Sequence, residues 1–486
     1  MSSSDESFVA HVAFLPSSGL GHLNPCLRTA ELFLRYGCKI TLITPKPTIS
    51  LAESDLITQF CSSFPSSQLT QIDLNLIPLD PSINVNTVDP FWLQFETIRQ
   101  SLHRLLPSIL TKLSSSPSSS SPLSALIYDV SLISPLVSIM ESFTFPSYIY
   151  FIAPARMFSF FAYLSVLSEK SNDGKHFSCI GDAVEIPGIA PIPKSSLPPL
   201  ILQPNSLFEK ILMEDSPKLR KLHGIFMNSF EDLEAEALAA LNDGKVVPGL
   251  PPVHAIGPLV PCEFEKVRCS TNNCTDSVLK WLDEHPKGSV VYVCLGNKTS
   301  TRRDQIKDMA NGLMSCGYKF LWVVKLKVVD KEEEEELENV LGNEMMKKVN
   351  EKGMVINKWV NQMEILGHPA IGGFVNHGGW NSIVEAIWHG KPILSWAHDG
   401  DQKIASEVVQ ISGVGVWPEE WGWGKQNLVK GEEISKVIKE MMSSESLRIK
   451  AGKMMEVARK AASVGGSIEV VIKKQIEEWK MNFQSI

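Results

Sequence analysis

The chain has 486 residues, too many for one hydrophobic core and suited to two domains of roughly 200–250 residues each. Its 44% hydrophobic and 21% charged residues are ordinary for a globular protein, and a net charge of -8 argues against a general nucleic-acid or anionic-membrane surface. Small-molecule partners fit this balance better.

The N-terminus has no basic segment leading an apolar one, and no run reaches the ~18 apolar residues of a bilayer span, so a cytoplasmic protein is expected. Residues 10–15 and 39–44 are apolar runs with a helical segment over 25–36 between them, a βαβ opening. In the intervening PSSGLGHLNP, Asn24 and Pro25 have the chemistry of an N-cap and a first helical residue, which puts His22 in a glycine-rich turn at the mouth of the fold. An imidazole with a pKa near 6.5 suits removal of a phenolic proton at neutral pH. It needs a partner to fix its tautomer, and Asp129 ends the strand ALIYD, where the carboxyl ends of strands gather at the crevice of an open α/β sheet. The Gly-Leu-Gly at 19–21 lacks the third glycine of a dinucleotide fingerprint, so NAD binding is disfavoured.

Further strands are expected at 72–76, 125–128, 148–152 and 224–228, and the Ser/Pro run at 114–122 has the composition of a surface loop. Aromatic residues crowd at Phe91, Trp92 and Phe95, then at Phe158, Phe160, Phe161 and Tyr163. Most should pack in the core. Phe91, Trp92, Phe95 and Phe158 are the candidates for lining an aromatic acceptor's pocket.

The proline-dense stretch at 248–261 punctuates the chain, and the interdomain linker is placed at 251–262. Strands expected at 289–295, 319–324, 354–356, 371–375 and 392–395 then alternate with helices, as a second doubly wound sheet requires. Nine cysteines, an odd number, suit reduced thiols; Cys262, Cys269 and Cys274 cluster without a C-x-x-C pair or a close His and make a poor zinc site. Five consecutive glutamates at 332–336 read as a solvated face. The last helix carries Ile468, Val471, Ile472, Ile476 and Trp479 at helical spacing behind Ser467.

The most informative stretch is WVNQMEILGHPAIGGFVNHGGWNSIVEAIWHGKPILSWAHDGDQ, residues 359–402. A buried strand over 371–375 and a helix over 382–389 make HGGWNS a strand-to-helix turn. Gly378 and Gly379 let backbone approach a ligand, and the helix's positive end faces an anion. Asn381, Ser382 and Glu385 fall within about one helical turn. Such a set suits a diphosphate joined to a polyhydroxylated ring, with Trp359 available to stack on a base.

This stretch resembles the signature of plant UDP-dependent glycosyltransferases. The resemblance implies the GT-B fold, an α/β architecture of two Rossmann-like doubly wound domains facing a cleft. It implies Trp359 stacking on uracil, Val360 meeting the base by its backbone, and Gln362 and Glu385 on the ribose. It also implies His377, Gly379, Trp380, Asn381 and Ser382 at the diphosphate, and Asp401 and Gln402 at the sugar. Gly21 and the loop residues Asn297, Lys298 and Thr299 are expected at the donor as well, although Asn297 replaces the usual Ser. His22 would be the base and Asp129 its support, with no metal or other cofactor required. Gly378 stands where Cys or Ala is usual, Asn376 where Thr or Ser is usual, and Val360-Asn361 where many O-glycosyltransferases have Ala-Pro. WVNQ, HVAFLPSSGLGHLNP and DPFWLQFETIR are similar to the C-glycosyltransferase branch.

The resulting expectation is an acceptor-binding domain at 1–250, a UDP-sugar-binding domain at 263–465, and a final helix at 466–486 packing back on the first domain. The protein would act as a monomer, transferring glucose with inversion to a polyphenol, with a C–C bond preferred. A flavonoid O-glucosyltransferase is the near alternative, and a non-catalytic nucleotide-sugar-binding protein the distant one.

Overall fold

The computed structural model describes residues 8–80, 89–115, 122–170, 181–266, 273–296, 301–324 and 337–484. Asn297, Lys298, Thr299 and the glutamate run lie outside these residues.

Two all-parallel sheets organise the chain. The first has seven strands in the spatial order Leu69–Asn75, Lys39–Lys46, His11–Leu15, Leu123–Asp129, Ser147–Phe151, Gly224–Met227 and Val253–Ala255. Along His11–Leu15, Val12 and Phe14 enter one core cluster while Ala13 and Leu15 enter another. That alternation is the period of a strand covered on both faces, and it explains why the run reads as continuously apolar. The second sheet has six strands in the order Gly353–Ile356, Lys319–Val323, Val290–Cys294, Ile371–Asn376, Ile393–Ser395 and Gly415–Val416. Val290 and Tyr292 face one cluster, Val291 and Val293 the other. In each sheet the first strand in sequence lies third from one edge and the order reverses beside it, which opens a crevice at the carboxyl ends of the strands.

Val253–Ala255 lies within the stretch expected to be linker, yet it pairs in parallel with Gly224–Met227 and closes the first sheet. Prolines flank this short edge strand without entering it, which is where a sheet tolerates them. The final helix, Ser467–Gln484, lies on the first lobe. Trp479 stacks on Phe33 with ring centroids 5.5 Å apart, and its indole N–H donates to the Tyr148 hydroxyl at 3.0 Å.

The lobes meet through buried polar contacts. Arg156 of the first lobe pairs with Glu407 of the second at 2.8 Å, and the Trp380 indole N–H donates to the Asn228 carbonyl at 2.7 Å. Lys403 reaches across to the Ser195 carbonyl at 3.1 Å.

Candidate active site between the lobes

Gly19 makes the turn that brings His22 to the cleft. Its φ of 88° is open to glycine, and the helix Leu20–Arg35 begins immediately after it, with the His22 and Leu23 N–H groups bonded to the Gly19 carbonyl at 3.0 and 2.9 Å. The helix therefore starts at Leu20 and not at Pro25, and His22 occupies its first turn. Pro25 lies inside the helix and withdraws only the N–H that the Gly21 carbonyl would have accepted.

His22 Nδ1 is 2.8 Å from Oδ2 of Asp129. Asp129 ends its strand wholly buried, and its other oxygen accepts the Ser131 N–H at 2.9 Å and the Ser131 hydroxyl at 2.5 Å. Burial alone would raise the Asp129 pKa, but the His22 ring and the Ser131 donors outweigh it and hold the carboxyl below its ordinary value. The ionised carboxylate accepts a hydrogen bond from Nδ1–H, which leaves Nε2 as the ring's acceptor.

An aromatic wall stands beside this pair. The helix Pro90–Ser114 starts cleanly because Asp89 accepts the Phe91 N–H and Pro90 occupies the first turn. Phe95 meets the His22 ring edge-on at 5.1 Å, and Phe91 lies 6.0 Å from it. Trp92 extends the wall, 5.5 Å from Phe95 and 5.6 Å from Phe208. Phe208 has no neighbour in the sequence to mark it, so only the fold reveals it. Phe158 is fully buried, its ring 4.9 Å from Phe151 and 6.1 Å from Phe161, within the first lobe's core.

Across the cleft, Ile371–Asn376 leads into the turn 377–379. Gly378 takes φ 81° while its N–H donates to the Asn376 side chain at 2.7 Å, so Asn376 closes the turn from a buried position. The next helix, Trp380–Trp388, begins two residues before the expected 382, with Gly379 as an N-cap that supplies no side-chain bond. Its first N–H groups thus remain for an anion. A methyl on Gly296 would meet the His377 ring at 2.6 Å, and one on Gly379 would also strike it, so both glycines make room for that imidazole. Burial pushes the His377 pKa down to about 4. Trp380 spends its indole N–H on the opposite lobe, and what it can offer an anion is its backbone N–H. The Asn381 Oδ1 is buried without a partner among the described residues.

Glu385 and Gln362 form one unit. Gln362, at the start of a helix capped by Asn361, donates to Glu385 Oε2 at 2.7 Å and to the Ser382 hydroxyl at 3.1 Å. Val360 is buried, whereas Trp359 is 38% exposed. Gln402 spends its side-chain carbonyl on the His398 and Asp399 N–H groups, at 2.8 and 3.0 Å, which leaves its NH₂ as the group with donors. Burial raises the Asp401 pKa to about 6, with its own backbone N–H and nearby His22 holding it from rising further. His22 of the first lobe thus lies within electrostatic reach of Asp401 on the second. Sequence reasoning missed Arg28, whose guanidinium reaches Glu385 from the first lobe at 3.0 Å.

Two Rossmann-like lobes, a buttressed imidazole on one, and a bare helix terminus with a Gln-Glu pair on the other define a GT-B glycosyltransferase. The sequence model of the family described as "UDP-glucoronosyl and UDP-glucosyl transferase" matches residues 266–446. UDP-glycosyltransferase 708D1 of Glycine max is 62% identical over 100% of both chains, and UDP-glycosyltransferase CGT of Oryza sativa subsp. japonica is 39% identical over 94% of this chain and 93% of its own. Among solved structures, LpCGTa in complex with UDP is 37% identical with a TM-score of 0.82, covering 97% of this chain and 99% of that one. A ugt transferase from Siraitia grosvenorii in complex with UDP is 28% identical with a TM-score of 0.81, covering 97% of this chain and 100% of that one. The chain belongs to the UDP-glycosyltransferase family and takes a UDP-sugar as donor. Among the described residues no group of three His, Cys, Asp or Glu side chains is placed to hold a metal ion, and no helix is long and apolar enough to cross a membrane.

Proposed function

We propose that this enzyme transfers glucose from UDP-glucose, with inversion, to a ring carbon of an aromatic polyphenol. The observation that carries the reading is the His22–Asp129 pair, 2.8 Å apart, set beside the Phe91–Phe95 wall. His22 Nε2 takes a phenolic proton, and Asp129 stabilises the imidazolium that results. The phenolate charge spreads to the ortho carbon, which attacks the anomeric carbon from the face opposite UDP. The C–O bond to the diphosphate breaks, and UDP leaves with the electron pair. The attacked ring carbon then loses its proton to solvent to restore aromaticity, and the phenolate oxygen recovers a proton from the His22 imidazolium. Backbone N–H groups at the start of Trp380–Trp388 meet the charge growing on the diphosphate.

The donor reading assigns the uracil to Trp359 and Val360, the ribose to Gln362 and Glu385, and the diphosphate to His377, Gly379, Asn381 and Ser382. Asp401 accepts from sugar hydroxyls while Gln402 donates to them, a division supported by the Gln402 carbonyl being already spent. Glucose is inferred from that pair, and carbon linkage from the likeness of WVNQ and the N-terminal segments to the C-glycosyltransferase branch, with which the letters CGT in the names of the rice relative and of LpCGTa agree. The protein is further proposed to act as a cytoplasmic monomer.

Incubation with UDP-glucose and a trihydroxylated aromatic ketone tests the reading. The expected product resists hot dilute acid and shows an anomeric carbon bonded to carbon by NMR. An acid-labile product with an anomeric carbon bonded to oxygen would replace carbon linkage by oxygen linkage. Preference for UDP-galactose or UDP-xylose in competition would remove the glucose assignment.

A further inference from the structure

The ribose carboxylate proposed above is not held by its own lobe alone. Arg28, on the first lobe's opening helix, is buried with its Nε and one terminal nitrogen on Glu265, at 2.9 and 3.1 Å. That same terminal nitrogen reaches Glu385 Oε1 at 3.0 Å, and the other donates to the Leu259 carbonyl at 3.3 Å. One guanidinium thus ties together the first lobe, the crossing segment 256–266 that follows Val253–Ala255, and the signature helix Trp380–Trp388. Glu385 receives Arg28 on Oε1 and Gln362 on Oε2, so both oxygens are fixed in direction while each keeps a lone pair for a hydroxyl.

We propose that Arg28 is a positioning residue for the donor: it holds Glu385 aimed from the opposite lobe, so that the carboxylate is set for the ribose diol before UDP-sugar arrives. This rests on the assignment of Glu385 to the ribose. The charges around Glu385 make the need for Arg28 plain. Glu265 from the crossing segment repels it, Tyr292 from the sheet contributes no cation, and Gln362 and Ser382 are neutral. Burial pushes the Glu385 pKa up and Arg28 is the largest influence opposing it. A carboxyl that protonates loses part of its capacity to accept from a diol, and Glu385 without Arg28 would do so at a higher pH.

The test is UDP binding by calorimetry and UDP-glucose kinetics for Arg28→Met, Arg28→Lys and Glu385→Ala, at several pH values from about 5.5 to about 8. Arg28→Met is expected to raise the UDP Kd and the UDP-glucose KM by about 10-fold or more, with kcat changed less than about 2-fold. Its loss of affinity relative to the parent protein should grow as pH falls, a comparison that cancels titration of the UDP phosphate. Arg28→Lys keeps the charge and should recover most of the affinity at every pH. Binding of 2′,3′-dideoxy-UDP should be weakened far less than that of UDP. If Arg28→Met binds UDP like the parent while Glu385→Ala does not, Arg28 has no positioning role. If Glu385→Ala also binds normally, the ribose assignment itself falls. Should Arg28→Met fail to fold, Arg28→Lys decides: a Kd rise that is the same for UDP and its dideoxy analogue would overturn the proposal.

Discussion

The proposed base and the donor groups that face it meet their polar partners in opposite ways. On the first lobe, the proposed base is finished before any substrate arrives: Asp129 has a partner on each oxygen, its pKa lies below the ordinary value, and the orientation of His22 follows. On the second, several groups are left in deficit. The Asn381 Oδ1 and His377 Nδ1 are buried without partners among the described residues, His377 is pushed down to about 4 and Asp401 up to about 6. A base must be preset, because its geometry decides which atom of the acceptor loses a proton. A donor site can stay incomplete, because a diphosphate sugar brings the hydroxyls and charges that complete it. Polar atoms left waiting are costly in the free protein and become affinity when the ligand satisfies them.

The largest effect should come from the finished side. His22→Ala is expected to lower turnover by roughly 100- to 10,000-fold while leaving UDP affinity nearly unchanged, since the base and the donor groups belong to different lobes. Steady-state kinetics with calorimetry of UDP binding checks both halves, and a variant keeping more than half its turnover would end the assignment. Asp129→Asn keeps the shape but lets the imidazole choose the other tautomer, and it should cost at least about 10-fold in kcat. A loss seen only in KM would mean that Asp129 shapes the acceptor pocket instead.

On the donor side Glu385 is the exception, held on both oxygens before any ligand arrives, and Glu385→Ala should weaken UDP by about 1.5–3 kcal/mol for each charge-assisted bond removed. Unchanged affinity by calorimetry would show that the signature helix does not meet the ribose.

These contrasts also mark what a sequence can carry. His22 and Asp129 sit 107 residues apart and still could be paired from sequence, because both fall at the carboxyl ends of neighbouring strands in a doubly wound sheet. The Glu385–Arg28 contact spans 357 residues and depends on how one lobe docks on the other, which no local pattern encodes. Helix starts failed for a different reason. Asn24-Pro25 has good capping chemistry, but Gly19 turns the chain earlier by its backbone freedom alone, and at Trp380 the bare N-cap Gly379 offers no side chain to announce the boundary. Val253–Ala255 is a strand of three residues between prolines, legible only when its partner strand is in view. Phe158 and Phe91 look alike in sequence, and burial alone separates the core ring from the one beside His22.

The smallest effect should be on stability, and it probes the deficit directly at Asp401. Burial raises this carboxyl from 3.8 to about 6 in the folded chain, so folding favours its protonated form. The stability associated with that form is fully present below the unfolded value, falls as pH rises between 3.8 and about 6, and is gone above it. Asp401→Asn, which never ionises, should therefore melt higher than the parent by roughly 2–4 °C at neutral pH, with the gap closing as the solution is acidified toward the lower end of that window. The same substitution removes an acceptor for the sugar, so UDP-glucose KM should rise above about pH 6, where the parent carboxylate is charged. A protein that becomes more stable and binds its donor sugar less well would show that the second lobe holds Asp401 in reserve for the ligand. Equal melting temperatures across the whole pH range would show instead that the solvent reaching half-buried Asp401 screens it, and the contrast between a finished base and a waiting donor site would then rest on Asn381 and His377 alone.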